Sequence, residues 1–455
     1  MIIPEAYRGK TVGVFGLARS GLASVAALDA AGAIVLADDD DPQRRLASPV
    51  PAHDLKATDF KSLDALVLAP GVPLTHPAPH PLVLKARAAG VPVIGDIELF
   101  SAARSTLPAH HVVAITGTNG KSTITALIAH MVRENGLPAV AAGNIGFPVL
   151  ARDPLPEGGA YVLELSSYQI DLTSSLDADI AVLSNITPDH LERHGDMAGY
   201  VAAKRRLFAM QGKDRLAIIG IDDAHGRAIA DSLPQGTLRV SVTQPLADGL
   251  HVDDAGMLTE YRKGKARAIG SLDGMPALTG RHNWQNAALA FAAGRALGLD
   301  EAGILASFAR FPGLAHRCEP VLMRSGVRYV NDSKATNPEA AATALAAFRA
   351  IRWIAGGRAK SKDLSALMPL LGNVRKAYLI GESSPLFADA LAGRVPFEPC
   401  GTIELAVGRA AAEAEAGDTV LLSPAAASFD QFSDFEARGE AFRTAVLGLD
   451  AGDRA

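Results

Sequence analysis

The sequence predicts an α/β protein built mainly on parallel strands. Three observations point to it. Short β-branched runs recur along the chain and end in Gly, Pro, Ser or Asn, and Ala-rich stretches with helical spacing separate them. The length of 455 residues, at roughly 150 per domain, asks for about three domains rather than one small core.

The elements follow in order. Strands are expected over residues 11–16, 34–37 and 65–70, then 112–117, 161–166, 180–185 and 216–220, and finally 329–332, 353–356, 377–381 and 419–423. These are several sheets, not one. Two breaks divide them: residues 92–105, where a loop precedes a new strand-and-loop start, and residues 311–316, where FPGLAH interrupts a helical pattern. Domains over residues 1–97, 98–312 and 313–455 are expected. No repeat or low-complexity tail is visible, and the acidic run at residues 38–41 reads as a solvated loop.

With 48% apolar and 20% charged residues the chain is too apolar to be disordered, and no stretch approaches the ~18 uncharged apolar residues of a membrane span. The net charge of −5 offers no global field for nucleic acid or an anionic membrane. Cys318 and Cys400, the only cysteines, form no CxxC or Cys/His spacing, which argues against a disulfide framework or a zinc site. Glu5 falls where a signal peptide would be apolar, so a cytoplasmic location is expected.

The segment TVGVFGLARSG pairs a strand with Gly16, Ala18 and Gly21 ahead of an Ala-rich helix, and Asp38 closes the next strand. This nearly matches a dinucleotide fingerprint, in which glycines let the chain approach a pyrophosphate. Ala18 in the middle glycine position crowds that approach, so the turn points to a retained fold, or another nucleotide, more than to NAD.

VVAITGTNGKSTIT reads as a strand, a loop of Gly117, Thr118, Asn119 and Gly120, and a helix opened by Lys121, Ser122 and Thr123. Loop and helix N–H groups can cradle phosphate, Lys121 can neutralise β/γ oxygens, and Ser122 can ligate Mg²⁺. Ile115 stands where the general pattern has its first glycine, so this is a shortened P-loop. Glu164 interrupts an otherwise apolar strand and is either a Mg²⁺ ligand or a salt-bridged glutamate. Asn185, Asp189 and His190 follow the next strand, where parallel sheets place their ligands. Tyr200, Lys204 and Phe208 share one helical face, which alone points to a snorkelling lysine more than to a catalytic one.

Taken together, GTNGKST, GNIG, ELSSYQI, TPDH, AAK, RHNWQNAALA, AHR and NDSKATN, in this order along the whole chain, resemble the Mur ligase family. GDIELF, ELSSYQI and LLSPAAASFDQF narrow the resemblance to members that act on UDP-N-acetylmuramoyl-L-alanine and D-glutamate. The resemblance implies a Rossmann-like UDP-binding domain, a central P-loop ATPase domain and a C-terminal Rossmann-like amino-acid domain. It implies a cytoplasmic ATP-dependent amide ligase of peptidoglycan precursor synthesis, acting through an acyl phosphate and expected as a monomer.

Site roles are implied in the same way. Gly117, Thr118, Asn119, Gly120, Lys121, Ser122 and Thr123 would cradle ATP, which Asn283, Asn286, His316, Arg317 and Asp332 would also contact. Ser122 and Glu164 would hold one Mg²⁺, and His190 with a carbamylated Lys204 a second. Lys121, His190 and Lys204 would be catalytic. Gly16, Arg19, Ser20, Gly71, Asn144 and Ser166 would serve the UDP-sugar, and Lys334, Thr336, Lys360, Ser428 and Phe435 the glutamate. Closure of the third domain would complete the ATP site.

Asp39 and Asp40 depart from a Thr-Arg pair common in the family, and Lys362 rivals Lys360 for the glutamate carboxylate. A sibling ligase using L-glutamate or another amino acid, and a folylpolyglutamate synthase, are the near alternatives. An NAD-dependent dehydrogenase leaves residues 117–123 unexplained, and a nucleotide-gated binding protein leaves Glu164, His190 and Lys204 unexplained.

Overall fold

The computed structural model describes residues 1–233, 237–359 and 362–449. They fall into two compact units, one of residues 1–273 and 281–311, the other of residues 274–280 and the chain from 312 onward.

The first unit contains two sheets. Strands β1 (Thr11–Phe15), β2 (Ile34–Asp38), β3 (Ala65–Leu68) and β4 (Val93–Ile94) pair in parallel in the order β2–β1–β3–β4. The second sheet comprises β5 (His110–Thr116), β6 (Ala139–Gly143), β7 (Gly159–Glu164), β8 (Ile180–Leu183), β9 (Leu216–Gly220), β10 (Thr237–Ser241), β11 (Gly249–Val252), β12 (Met257–Arg262) and β13 (Lys265–Ser271). Its order is β13–β12–β11–β10–β9–β8–β5–β7–β6, parallel except at the two pairings of β12. Strands β5, β7 and β8 are almost wholly buried, as continuous apolar runs covered on both faces should be. The chain goes from β5 to one side and returns through β7 to β8 on the other, which opens a crevice at their carboxyl ends.

One apolar core runs through both sheets of this unit, from Val12 and Val14 to Phe100 and Tyr161, whose rings meet edge-on at 5.2 Å. The segment at residues 92–105 is therefore not a loop: it supplies β4 and the helix Asp96–Ala103. Gly95 caps the helix, Asp96 and Glu98 suit its first turn, and Ile97, Leu99, Phe100 and Ala103 supply the buried face. The side chain of Glu98 accepts from Ser174 and Ser175, and Gly95 N–H donates to Leu172 O at 2.9 Å.

The second unit holds β14 (Glu319–Arg324), β15 (Val327–Asn331), β16 (Ile351–Gly356), β17 (Val374–Ile380), β18 (Phe397–Gly401) and β19 (Thr419–Leu422). Their order is β14–β15–β19–β16–β17–β18, parallel except for the β14–β15 hairpin. Trp353 is fully buried at its centre and donates to Ser423 O at 2.8 Å.

The acidic run also differs from expectation. Asp40 and Asp41 are exposed, but Asp38 and Asp39 are buried. Asp38 accepts from the N–H groups of Asp39 and Leu55 and pairs with Arg45 at 2.8 Å. Asp39 accepts from Leu17 N–H at 2.6 Å and Asp41 N–H at 2.8 Å. Backbone donors thus hold the carboxylates that the sequence left to solvent.

Candidate active site

The P-loop follows β5 at the crevice. Gly117 has φ +147° and Gly120 φ +84°. A Cβ on Gly117 would lie 1.9 Å from Ser184 Oγ, and one on Gly120 2.3 Å from Asn286 Oδ1. Thr118 and Asn119 donate their N–H groups to Asn185 O and Oδ1 at 2.8 and 2.9 Å. The helix Lys121–Glu134 begins at Gly120 without a side-chain cap, with Ser122 buried in its first turn and Thr123 half-buried, leaving the helix start suited to an anion. Asn286 and Asn283, on the helix Arg281–Ala296, bond each other at 3.2 Å beside Gly120.

Lys121 Nζ donates to Gly117 O and Thr118 O at 2.9 and 2.8 Å. Lys204 Nζ reaches the same Gly117 carbonyl at 2.8 Å. Lys204 lies on the helix Met197–Ala209, is 1% exposed, and stands 4.6 Å from the centre of the Tyr200 ring. It does not snorkel. Burial, and then the Lys121 ammonium, push its pKa well below the ordinary lysine value. The Tyr200 hydroxyl lies 3.2 Å from Thr118 Oγ1. His190 has φ +54°, and its Nδ1 lies 2.9 Å from the Tyr168 hydroxyl.

Glu164 ends β7 and is 2% exposed. Its Oε1 accepts from Asn144 Nδ2 at 2.8 Å, while its buried Oε2 has no hydrogen-bond partner. No group of three or more His, Cys, Asp or Glu forms a ready metal cage among the described residues. An orphaned buried carboxylate oxygen at the end of a strand paired with β5 nevertheless fits Mg²⁺, which takes few protein ligands beside phosphate. Ser166 caps the helix Ser167–Asp171 in a reciprocal capping box with Gln169.

Asp96 was not anticipated. Its carboxylate is 2% exposed and neither oxygen completes a hydrogen bond. Burial pushes its carboxyl up to about 6. As pH rises from 3.8 toward about 6 the unfolded chain releases a proton that the folded one keeps, so this group costs stability above that window. Asp96→Asn is expected to raise the unfolding free energy at pH 7.5 by up to about 3 kcal/mol, with the gap closing near pH 4. Equal melting temperatures of variant and parent at pH 7.5 would overturn this.

At the N-terminal turn, Gly16 has φ +94° and a Cβ there would lie 2.6 Å from that of Ala69. A Cβ on Gly21 would lie 1.8 Å from Gly16 O. Both glycines are thus required by packing, and Ala18, in extended backbone before the helix Arg19–Ala30, is accommodated. Arg19 and Gly71 are exposed and Ser20 half-buried.

In the second unit the expected residues gather at the carboxyl ends of β15 and β19. Asp332 accepts from Ser423 Oγ at 2.8 Å and Cys318 N–H at 3.1 Å, and burial pushes its carboxyl up to about 7. His316, at φ +62°, has Nδ1 3.0 Å from Asn331 Nδ2, and Arg317 beside it is exposed. Lys334 Nζ sits 3.7 Å above the Phe435 ring, Thr336 N–H donates to Lys334 O at 2.8 Å, and Ser428 is buried. Lys360 lies outside the described residues.

Residues 115–294 match the Mur ligase middle domain, and residues 316–426 the Mur ligase glutamate ligase domain. A UDP-N-acetylmuramoylalanine–D-glutamate ligase of Phenylobacterium zucineum is 49% identical over 99% of this chain and 98% of its own length. The chain belongs to the Mur ligase family. A second ligase of the same name, from Sphingopyxis alaskensis, is 50% identical over 99% of this chain and all of its own. A UDP-N-acetylmuramate–alanine ligase from Thermotoga maritima has the same fold, with a TM-score of 0.60, 16% identity, and coverage of 97% of this chain and 100% of that one.

In this Mur ligase the structure brings the P-loop, Lys204, Asn283 and Asn286 together, and sets Glu164 at the end of β7 and His190 at the start of the short helix Leu191–His194 that follows β8. Sequence reading passed over Tyr168, Arg193 and His194. Tyr168 sits inside ELSSYQI and the other two follow His190 by three and four residues, one helical turn away, which is the signal that could have found them.

Proposed function

We propose that this Mur ligase joins D-glutamate to the alanine carboxylate of UDP-N-acetylmuramoyl-L-alanine, consuming ATP, in cytoplasmic peptidoglycan precursor synthesis. The observation behind it is the pair Lys121 and Lys204 on one P-loop carbonyl, in a chain about half identical over its full length to ligases of that name. No helix among the described residues is long and apolar enough to cross a membrane. The reading takes the first sheet for the UDP-sugar, the second for ATP and the second unit for the amino acid, and the active form for a monomer.

A carboxylate is a poor electrophile because its charge repels an amine and oxide is a poor leaving group. An alanine carboxylate oxygen attacks the γ-phosphorus, the bond to the bridging oxygen breaks, and ADP leaves. The glutamate nitrogen then adds to the carbonyl of the acyl phosphate, loses a proton and expels phosphate. Lys121 and the N–H groups from Gly120 to Thr123 hold the phosphates and stabilise charge on the transferring group, while Gly117, Thr118 and Asn119 shape the loop around ATP, the last two through their N–H bonds to Asn185. Asn283 and Asn286 orient the nucleotide beside Gly120, with Arg317, His316 and Asp332 assigned to ATP. Lys334, Thr336, Ser428, Phe435 and Lys360 are assigned to D-glutamate, and Gly16, Arg19, Ser20, Gly71, Asn144 and Ser166 to the UDP-sugar.

Ser122 and Glu164 would hold one Mg²⁺, and His190 with Lys204 a second; the ions supply charge neutralisation on the phosphoryl oxygens. The Tyr168 hydroxyl at Nδ1 would fix the His190 ring. For Lys204 to be an oxygen ligand its neutral amine must add to CO₂, forming an N–C bond and releasing a proton. Burial supports the neutral amine this needs.

Phosphate release is expected only when ATP, UDP-N-acetylmuramoyl-L-alanine and D-glutamate are all present. An amino-acid panel that includes both enantiomers checks it. Equal turnover with L-glutamate would sink the stereochemical assignment.

A further inference from the structure

Arg193 lies in the short turn Leu191–His194 that follows His190 and is 7% exposed. It donates to three successive carbonyls of the loop after β3: Pro70 O at 3.1 Å, Gly71 O at 3.4 Å, and Val72 O. The guanidinium carbon stacks 4.8 Å from the centre of the Tyr168 ring. That tyrosine's hydroxyl lies 2.9 Å from His190 Nδ1. The same turn meets the loop a second time, because a Cβ on Gly195 would lie 3.0 Å from His76 Nε2.

A buried guanidinium is costly to desolvate, and here backbone carbonyls rather than a bonded carboxylate accept its protons. The loop itself keeps few internal bonds, Val72 N–H to Ala69 O and His80 N–H to Pro73 O among them. A planar fork can hold three consecutive carbonyls in one geometry, which a lysine's point charge cannot.

We propose that Arg193 is a positioning residue that locks the loop at residues 70–72 onto the turn carrying His190. The UDP-sugar contact at Gly71 and the phosphoryl-transfer end of the site then form one rigid body. The inference rests on the proposed function for the identity of what the loop binds.

The test compares the wild-type chain with Arg193→Lys and Arg193→Met, the second keeping the apolar stem against Tyr168. In both variants KM for UDP-N-acetylmuramoyl-L-alanine is expected to rise about tenfold or more, the scale of lost charge-assisted hydrogen bonds. KM for ATP and D-glutamate, and kcat, should stay within about threefold. Calorimetric titration of the UDP-substrate without ATP, run below the melting transition of each variant, should show the same loss of affinity. A UDP-substrate Kd equal to wild type in both folded variants overturns the proposal, as does a fall in kcat with KM unchanged. If the wild-type chain itself fails to bind the UDP-substrate, the proposed function falls instead, so the two failures are distinguishable.

Discussion

Lys204→Ala is expected to lower kcat by about a thousandfold or more, the scale on which phosphoryl transfer depends on its charge-stabilising groups. Short carboxylic acids added to the variant should restore part of the activity. The Lys204 ammonium is 1% exposed and bonded to one carbonyl, which the Lys121 ammonium also occupies. Two cations on one carbonyl oxygen repel each other, and burial penalises the charge further, so Lys204 is driven toward its neutral amine. A neutral amine can capture CO₂; a protonated one cannot. The sign of the pH effect follows: acidification protonates the amine and strips the carboxylate from it, so activity should fall on the acid side and recover with added bicarbonate. Alanine removes a group that makes one hydrogen bond, to Gly117 O, so the melting temperature should move far less than kcat. Full activity of the variant without any additive would remove Lys204 from the site.

The α/β class and the phosphate loop were legible because each rests on local pattern: β-branched runs ending in glycine, and Gly-x-x-Gly-Lys-Ser between strand and helix. Elements whose burial is set by distant partners were not. The exposed edge strand β13, KARAIGS, has no apolar period and takes its place only through pairing with β12. The helix Asp96–Ala103 looked like a loop because its cap Gly95 is met by Leu172 and its buried Phe100 by Tyr161, both far along the chain. Asp38 and Asp39 looked solvated because the donors that bury them, Leu55 and Leu17 N–H, are contributed by other segments. In the site, residue types at the motif positions pointed to phosphate, but the sharing of Gly117 O by two lysines and the orphaned oxygen of Glu164 are three-dimensional facts. Arg193 was invisible for the same reason, since its partners are backbone carbonyls of another sheet's loop.

Gly117 is where those facts meet, and Gly117→Ala is expected to weaken ATP binding by about a hundredfold or more, from strain of ~1–3 kcal/mol added to displacement of the loop. At φ +147° an L side chain is strained, and its Cβ would fall 1.9 Å from Ser184 Oγ. Ser184 cannot simply rotate away without consequence, because its hydroxyl donates to Asn119 O and Asn185 beside it accepts from Thr118 and Asn119 N–H. The loop must therefore move, and it takes with it the carbonyl that anchors Lys121 and Lys204. None of the residues assigned to the UDP-sugar, on the first sheet or at Asn144 and Ser166, makes these contacts, so affinity for the UDP-substrate should remain within about threefold of wild type if the variant is folded. Fluorescent-nucleotide binding and UDP-substrate calorimetry on the same preparation separate the two effects. Wild-type ATP affinity in Gly117→Ala would mean that the loop adopts another conformation when nucleotide binds, and equal loss of both ligands would mean that the whole unit, not the P-loop, has been disturbed.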